Sequence, residues 1–135
     1  MNRTTAYWIA TGLFSVLFLF GGMNHLLRTE MMTESMTRLG YPAYVMTILG
    51  VAKLLGVAAI LMPGPSLLRE WAYAGFTFDL VGAAASHAFV GDPLAETLTP
   101  LAVLALGAAS YLLRPASRRL FAEAAEPGTT ALAAG

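Results

Sequence analysis

No cysteine occurs anywhere in the 135 residues. A catalytic thiol, a disulfide and any cysteine-ligated metal or iron–sulfur centre are therefore excluded. Electrons, if the chain handles them, must reside on a bound cofactor or a partner protein. Charge is scarce as well: charged residues make up 12% of the chain, against roughly 25% in a soluble domain. The eight basic and eight acidic residues cancel, so nothing points to nucleic acid. Two histidines, His25 and His87, lie far apart in sequence and do not by themselves make a metal site. There is no nucleophile–base pair or nucleotide-binding loop, so no catalysed reaction can be assigned.

What the chain does have is apolar surface, with 57% hydrophobic residues. A single soluble domain has too little interior to hide that much, whereas a bilayer requires it on every lipid-facing position. Crossing a hydrocarbon core about 30 Å thick takes about 20 apolar residues. Four stretches of that kind fall at about 6–27, 42–62, 67–90 and 96–113. The first, uncharged between Arg3 and Arg28, is too long for a signal peptide, and Gly21-Gly22-Met23-Asn24-His25 is a poor cleavage site. Pro63-Gly64-Pro65 and Asp92-Pro93 mark tight turns, and Arg114-Pro115 ends the last stretch.

Between the first two spans, residues 29–40 form the one amphipathic segment. Met32, Met36 and Leu39 share a helix face, Glu34 and Arg38 are spaced as an i,i+4 pair, Thr29 suits an N-cap and Gly40 a stop. This predicts a short helix lying in the membrane interface or closing over the spans as a lid. The expected fold class is thus all-α, a transmembrane four-helix bundle with a short interfacial helix, forming one domain over residues 1–121. Residues 122–135, rich in Ala and Gly, are expected to be a disordered tail.

Basic residues in short loops orient such a chain. With the N-terminus inside, Arg3, Arg69, Arg114, Arg118 and Arg119 are cytoplasmic, and only Arg28 and Arg38 lie outside. The expectation is a multi-pass protein of the cell membrane with both termini cytoplasmic. Tyr7, Trp8, Tyr41, Tyr44, Trp71, Tyr73 and Tyr111 fall near span ends, where an aromatic belt belongs. Gly50 and Gly56 on the second span, and Gly75, Gly82, Ala83 and Ser86 on the third, are candidates for close helix approach.

Ionisable residues at bilayer depth cost several kcal/mol and must face the protein interior, water or a partner charge. Lys53 and Asp79 sit about 11 and 12 residues from their span ends, which at about 1.5 Å per residue puts both near the midplane. The tight turn between their spans predicts an ion pair, serving either as a structural link between helices or as the polar floor of a ligand pocket. Glu70, at the start of the third span, suits the helix dipole. His25 and His87 reach similar depth at the outer side, with Asn24 and Ser86 beside them. A histidine there can donate to a quinone carbonyl or carry a proton.

Gly40-Tyr41-Pro42, Gly50-x-x-Lys53-Leu54-Leu55-Gly56, Glu70-Trp71-Ala72-Tyr73-Ala74-Gly75, Asp79 and Ser86-His87, in this order and spacing, resemble the DoxX-like family of small four-helix membrane proteins. The resemblance covers roughly residues 5–113. It implies Lys53, Glu70, Trp71, Tyr73, Asp79 and His87 as signature positions. It also implies a setting in membrane redox or stress response, because some relatives resemble the membrane subunit of a thiosulfate:quinone oxidoreductase. Others act with thiol and superoxide-detoxifying partners. The expected function is an accessory subunit binding a small hydrophobic molecule such as a quinone, with membrane lipid and membrane or peripheral redox proteins as partners. The alternative is a non-enzymatic scaffold or assembly factor whose buried charges only hold helices in place. An unbroken set of spans without internal repeat argues against a transporter.

Overall fold

The computed structural model describes residues 1–121; the expected tail at 122–135 lies outside them. Five α-helices follow one another: α1 (Arg3–Leu26), α2 (Glu30–Arg38), α3 (Ala43–Leu61), α4 (Ser66–Phe89) and α5 (Leu94–Leu113), with a 3₁₀ turn at Ala116–Arg118. No strand occurs among the described residues. Asn2 caps α1 by accepting from the Thr5 amide at 2.8 Å. Proline precedes α3, α4 and α5, where its missing amide hydrogen costs nothing.

Helices α1, α2 and α4 end alike. Arg28, Gly40 and Gly91 adopt positive φ, and the amides that follow fold back onto the Asn24, Met36 and His87 carbonyls. This is the Schellman stop, which satisfies carbonyls that the helix leaves open. Glycine meets the left-handed requirement at two of these stops, and Arg28 meets it at some strain in the third.

Three helices, α1, α3 and α5, are long and apolar enough to cross a membrane. The third expected span falls on α4, which is long enough at 24 residues but carries Arg69, Glu70, Asp79 and His87, and so is less apolar than the others. α5 begins directly after Pro93 and runs through Pro100. The four long helices close a ring: α1 lies against α3 and α5, and α4 lies against the same two. α2 lies across one end of this ring, touching α1 and α3. The opposite end carries the Pro63-Gly64-Pro65 turn and the segment after α5. There Arg118 donates to the Ile60 and Leu61 carbonyls at 2.8 and 3.1 Å, closing the open end of α3.

The distribution of side chains is inverted relative to a water-soluble protein. Leu13, Val16, Phe20, Leu55 and Phe78 point outward and are exposed, while Thr11, Ser15, His25, Arg69, Ser110 and Arg114 are buried. An apolar belt of this extent suits lipid and not water. The core itself is aromatic: Phe14, Phe18 and Phe76 stack with ring centroids 4.3–5.2 Å apart, joined by Val57, Ile60, Tyr73 and Leu80. Between membrane helices, tight van der Waals contact replaces the hydrophobic drive. Gly56 supplies such contact by seating Phe76, and Gly107 by seating Phe14; a Cβ on either would lie 2.6 Å from the ring. Gly50 accepts the Leu26 side chain in the same way, at 2.7 Å.

Gly75 and Gly82 do not act so, since nothing lies within 4 Å of a Cβ placed on them. These two glycines line open space, whereas Ala72 and Ala84 of the same helix pack inward. Two tyrosines expected in an aromatic belt are interior: Tyr7 and Tyr73 are buried, whereas Trp8, Tyr41, Tyr44, Trp71 and Tyr111 are exposed. Arg38 pairs with Asp92 across the end of the ring, and not with Glu34 along α2.

This difference between glycines is testable by thermal unfolding in detergent. Gly56→Leu should lose about 1–3 kcal/mol through overpacking against Phe76, while Gly82→Ala should stay within about 0.5 kcal/mol of the parent. Equal losses at the two sites would contradict the packing described.

Candidate functional site

Lys53 lies near the middle of α3 and Asp79 near the middle of α4, and the turn between these helices makes them antiparallel neighbours. Their side chains meet, with Lys53 Nζ 3.5 Å from Asp79 Oδ2 and with side-chain exposures of 14% and 17%. Neither group is saturated by this contact. An ammonium has three donors and a carboxylate several acceptor positions, so hydrogen-bonding capacity remains on both sides. The Phe18 ring covers Lys53 from the core side, 5.8 Å from Nζ to its centroid.

Toward the α2 end, the pair floors a cavity of about 370 Å³. Its walls carry His25, Ser86 and His87, and Met32, Met36 and Leu39 of α2 face into it. A second space of about 320 Å³, between α1, α4 and α5, shares Met32, Lys53, Asp79, Ala83 and His87 with the first. Both histidines therefore face the space above the ion pair. Each has Nδ1 engaged. His25 Nδ1 donates to the Gly21 carbonyl at 2.7 Å, and His87 Nδ1 donates to Asp92 Oδ2 at 2.6 Å. The neutral ring then carries its lone pair on Nε2, the atom left to accept from a ligand.

α2 is held over this cavity from two sides. Asp92 accepts from His87 and also from Arg38, whose Nε lies 3.2 Å from Oδ1. Tyr41 and Ser86 hydroxyls meet at 2.6 Å, and Ser86 also donates to the Gly82 carbonyl. The amphipathic face of α2 is thus turned inward as a lid, with Met36 buried. Thr29 occupies the N-cap position of α2 without capping it; its hydroxyl donates to Asn24 Oδ1.

Not every residue expected in the site is there. Asn24 spends its amide on the Phe20 carbonyl one turn earlier and its oxygen on Thr29, and serves the α1–α2 turn. Glu70 and Tyr73 lie at the opposite end of α4. Glu70 is past the first turn of its helix, and its role there is an ion pair with Arg114, reinforced by the Tyr111 hydroxyl at 2.8 Å. The Arg114 guanidinium also stacks over Tyr111, 3.7 Å from the ring centroid. Tyr73 and Thr11 both bond the buried Ser110 hydroxyl, at 2.7 and 2.6 Å. These contacts fasten α1, α4 and α5 together. Trp71 lies on the outer surface, at the rim of a cleft whose inner wall is Lys53 and Asp79.

Asp92 and Tyr41, beside the candidate site, and Arg114, the partner of Glu70 at the far end, are contacts that sequence reasoning missed. A signal existed for Arg114: Glu70 and Arg114 stand 44 positions apart and centred on Asp92, the register expected of two helices folded about that turn. Among the described residues, no three His, Asp or Glu side chains gather as metal ligands would.

No curated protein and no solved structure matches the chain. Residues 9–110 match the DoxX-like family, a stretch that runs from the first turns of α1 to the Ser110 contact on α5 and takes in the whole Lys53–Asp79 cavity. With three apolar helices of spanning length overlapping that match, the chain is a membrane protein and belongs to the DoxX-like family.

Proposed function

We propose that the protein crosses the cell membrane four times, through α1, α3, α4 and α5, with both termini cytoplasmic. In this reading it holds a small hydrophobic molecule bearing a polar ring, such as a quinone, above the Lys53–Asp79 pair. The observation that carries the proposal is the pair itself, two ionisable groups near the middle of apolar helices, under-bonded and facing a cavity of about 370 Å³. A cavity of that size, mostly apolar with a few convergent polar groups, is the usual form of a small-molecule site. Lys53 would donate to a ring carbonyl, Asp79 would accept from a hydroxyl, and Nε2 of His25 or His87 would face the opposite edge. The role is that of an accessory subunit in a membrane redox or stress-response system, passing the bound molecule to or from a partner protein.

Five arginines gathered at the terminal end, Arg3, Arg69, Arg114, Arg118 and Arg119, support the orientation. Because the chain has no cysteine, single introduced thiols report sidedness directly. Glu34→Cys should react with a membrane-impermeant maleimide in intact cells, and Ser117→Cys only after permeabilisation. The reverse pattern would overturn the orientation.

The rival reading is a scaffold in which Lys53 and Asp79 only lock α3 to α4. Removing one partner alone would leave a buried charge and cost about 3–5 kcal/mol, so the informative variant removes both. Lys53→Met/Asp79→Leu should remain folded, since exchanging a buried pair for apolar side chains is often neutral. It should lose at least about tenfold in affinity for a short-chain ubiquinone analogue. Unchanged affinity in this variant would defeat the ligand reading and leave the pair a structural link.

A further inference from the structure

The Lys53–Asp79 pair is reached from a third direction, one the proposed function does not use. On the outer surface between α3 and α4 lies a cleft of about 390 Å³ whose inner wall is the same two side chains. It meets the α2-covered cavity at Leu49, Lys53 and Asp79. From there it runs between Ala52 and Gly56 on one side and Gly75 and Trp71 on the other. Asp79 and Trp71 are eight positions apart on α4, about 12 Å at about 1.5 Å per residue. Leu55, Leu68 and Trp71, at the rim, are exposed on the apolar belt.

Of the three ways to the ion pair, the α2-covered cavity and the α3–α4 cleft differ most in chemistry. The α2 side is roofed by Met32, Met36 and Leu39 and lined with polar groups, with Arg38, Asp92 and His87 and also Tyr41 and Ser86 bonded across it. The α3–α4 side is open, apolar and kept open by small residues; a Cβ on Gly75 would meet no atom within 4 Å. A polar head at the ion pair would lie beneath the lid, while an apolar group attached to it would find hydrocarbon-compatible surface in the α3–α4 cleft.

We infer that the ligand of this site is a tailed lipid, a polar ring carrying a hydrocarbon chain, and that it passes laterally from the bilayer between α3 and α4, with its tail left in the Ala52–Gly75–Trp71 cleft. This rests on the ligand reading above and adds to it the class of ligand and its route. Gly75 and Ala52 are then specificity-determining positions: they recognise the tail by leaving room for it, and take no part in holding the ring.

The test compares a tailless dimethoxy-methyl-benzoquinone with the same ring bearing a decyl chain, each titrated against purified protein in nanodiscs. Gly75→Leu fills the cleft, and Ala52→Leu narrows it from the opposite wall; thermal unfolding confirms that each variant is folded. Relative to the parent, both variants should lose about tenfold or more in affinity for the decyl compound while binding the tailless ring within about twofold. Equal affinity of parent and variants for the decyl compound would overturn the lateral cleft while leaving the ring site intact. Equal losses for both compounds would likewise overturn it, because the substitutions would then be acting on the ring site. Failure of the parent to bind either compound would overturn the ligand reading, and this inference with it.

Discussion

In the four-span reading proposed above, an ammonium and a carboxylate at mid-depth in a hydrocarbon layer cost several kcal/mol unless they find each other, and the pairing of α3 with α4 answers that demand. Lys53 and Asp79 are brought within 3.5 Å by a turn that admits only an antiparallel return. Once they are paired, the rotation of both helices is set. Gly56 must then face Phe76, the aromatic core must lie toward the terminal end, and the small residues Gly82, Ala83 and Ser86 must face the space on the other side of the pair. The molecule accordingly has a half filled by the aromatic core and a half hollowed by the α2-covered cavity, with the ion pair at the boundary, while a groove of about 360 Å³ between α4 and α5 and the α3–α4 cleft flank the filled half.

The two halves are stabilised differently. In the filled half, stacked phenylalanines and a satisfied polar network hold the helices: Thr11, Tyr73 and Ser110 bond one another, and Glu70 takes Arg114 and Tyr111. Every one of these groups has a partner, which in a low-dielectric interior strengthens the contact and penalises its loss. In the hollow half the contacts run around the edge of a cavity, through Arg38, Asp92, His87, Tyr41 and Ser86.

Much of this was legible in the sequence, and the exceptions have a common cause. Charges inside apolar runs stand out, so Lys53 and Asp79 could be paired from depth and turn position alone; the spacing of Met32, Met36 and Leu39 gave α2 an apolar face but left open whether it turned to lipid or to the bundle. Helix rotation was not legible, because α3 is apolar on nearly every side and offers no polar face to distinguish inside from outside. On α1 and α4, Tyr7 and Tyr73 read as belt residues because they lie near span ends, although they are buried, and Gly75 and Gly82 read as contacts because they are small, although they face open space. Arg114 read as a topological marker at a helix end, since its partner is 44 positions away. Asn24 read as a site residue because the competing carbonyl of its own helix, one turn back, leaves no trace in composition.

The central claim is that the space above Lys53 and Asp79 receives a ring from the membrane. Photo-crosslinking tests it most directly: a quinone with an azide on the ring, activated in nanodiscs and mapped by peptide mass spectrometry. The account predicts adducts on the α2 and α4 peptides that face the cavity, around Met32, Met36 and Ser86, and their loss on competition with unlabelled quinone. Adducts spread over the outward residues of α1, such as Leu13 and Val16, and unaffected by competition would contradict it.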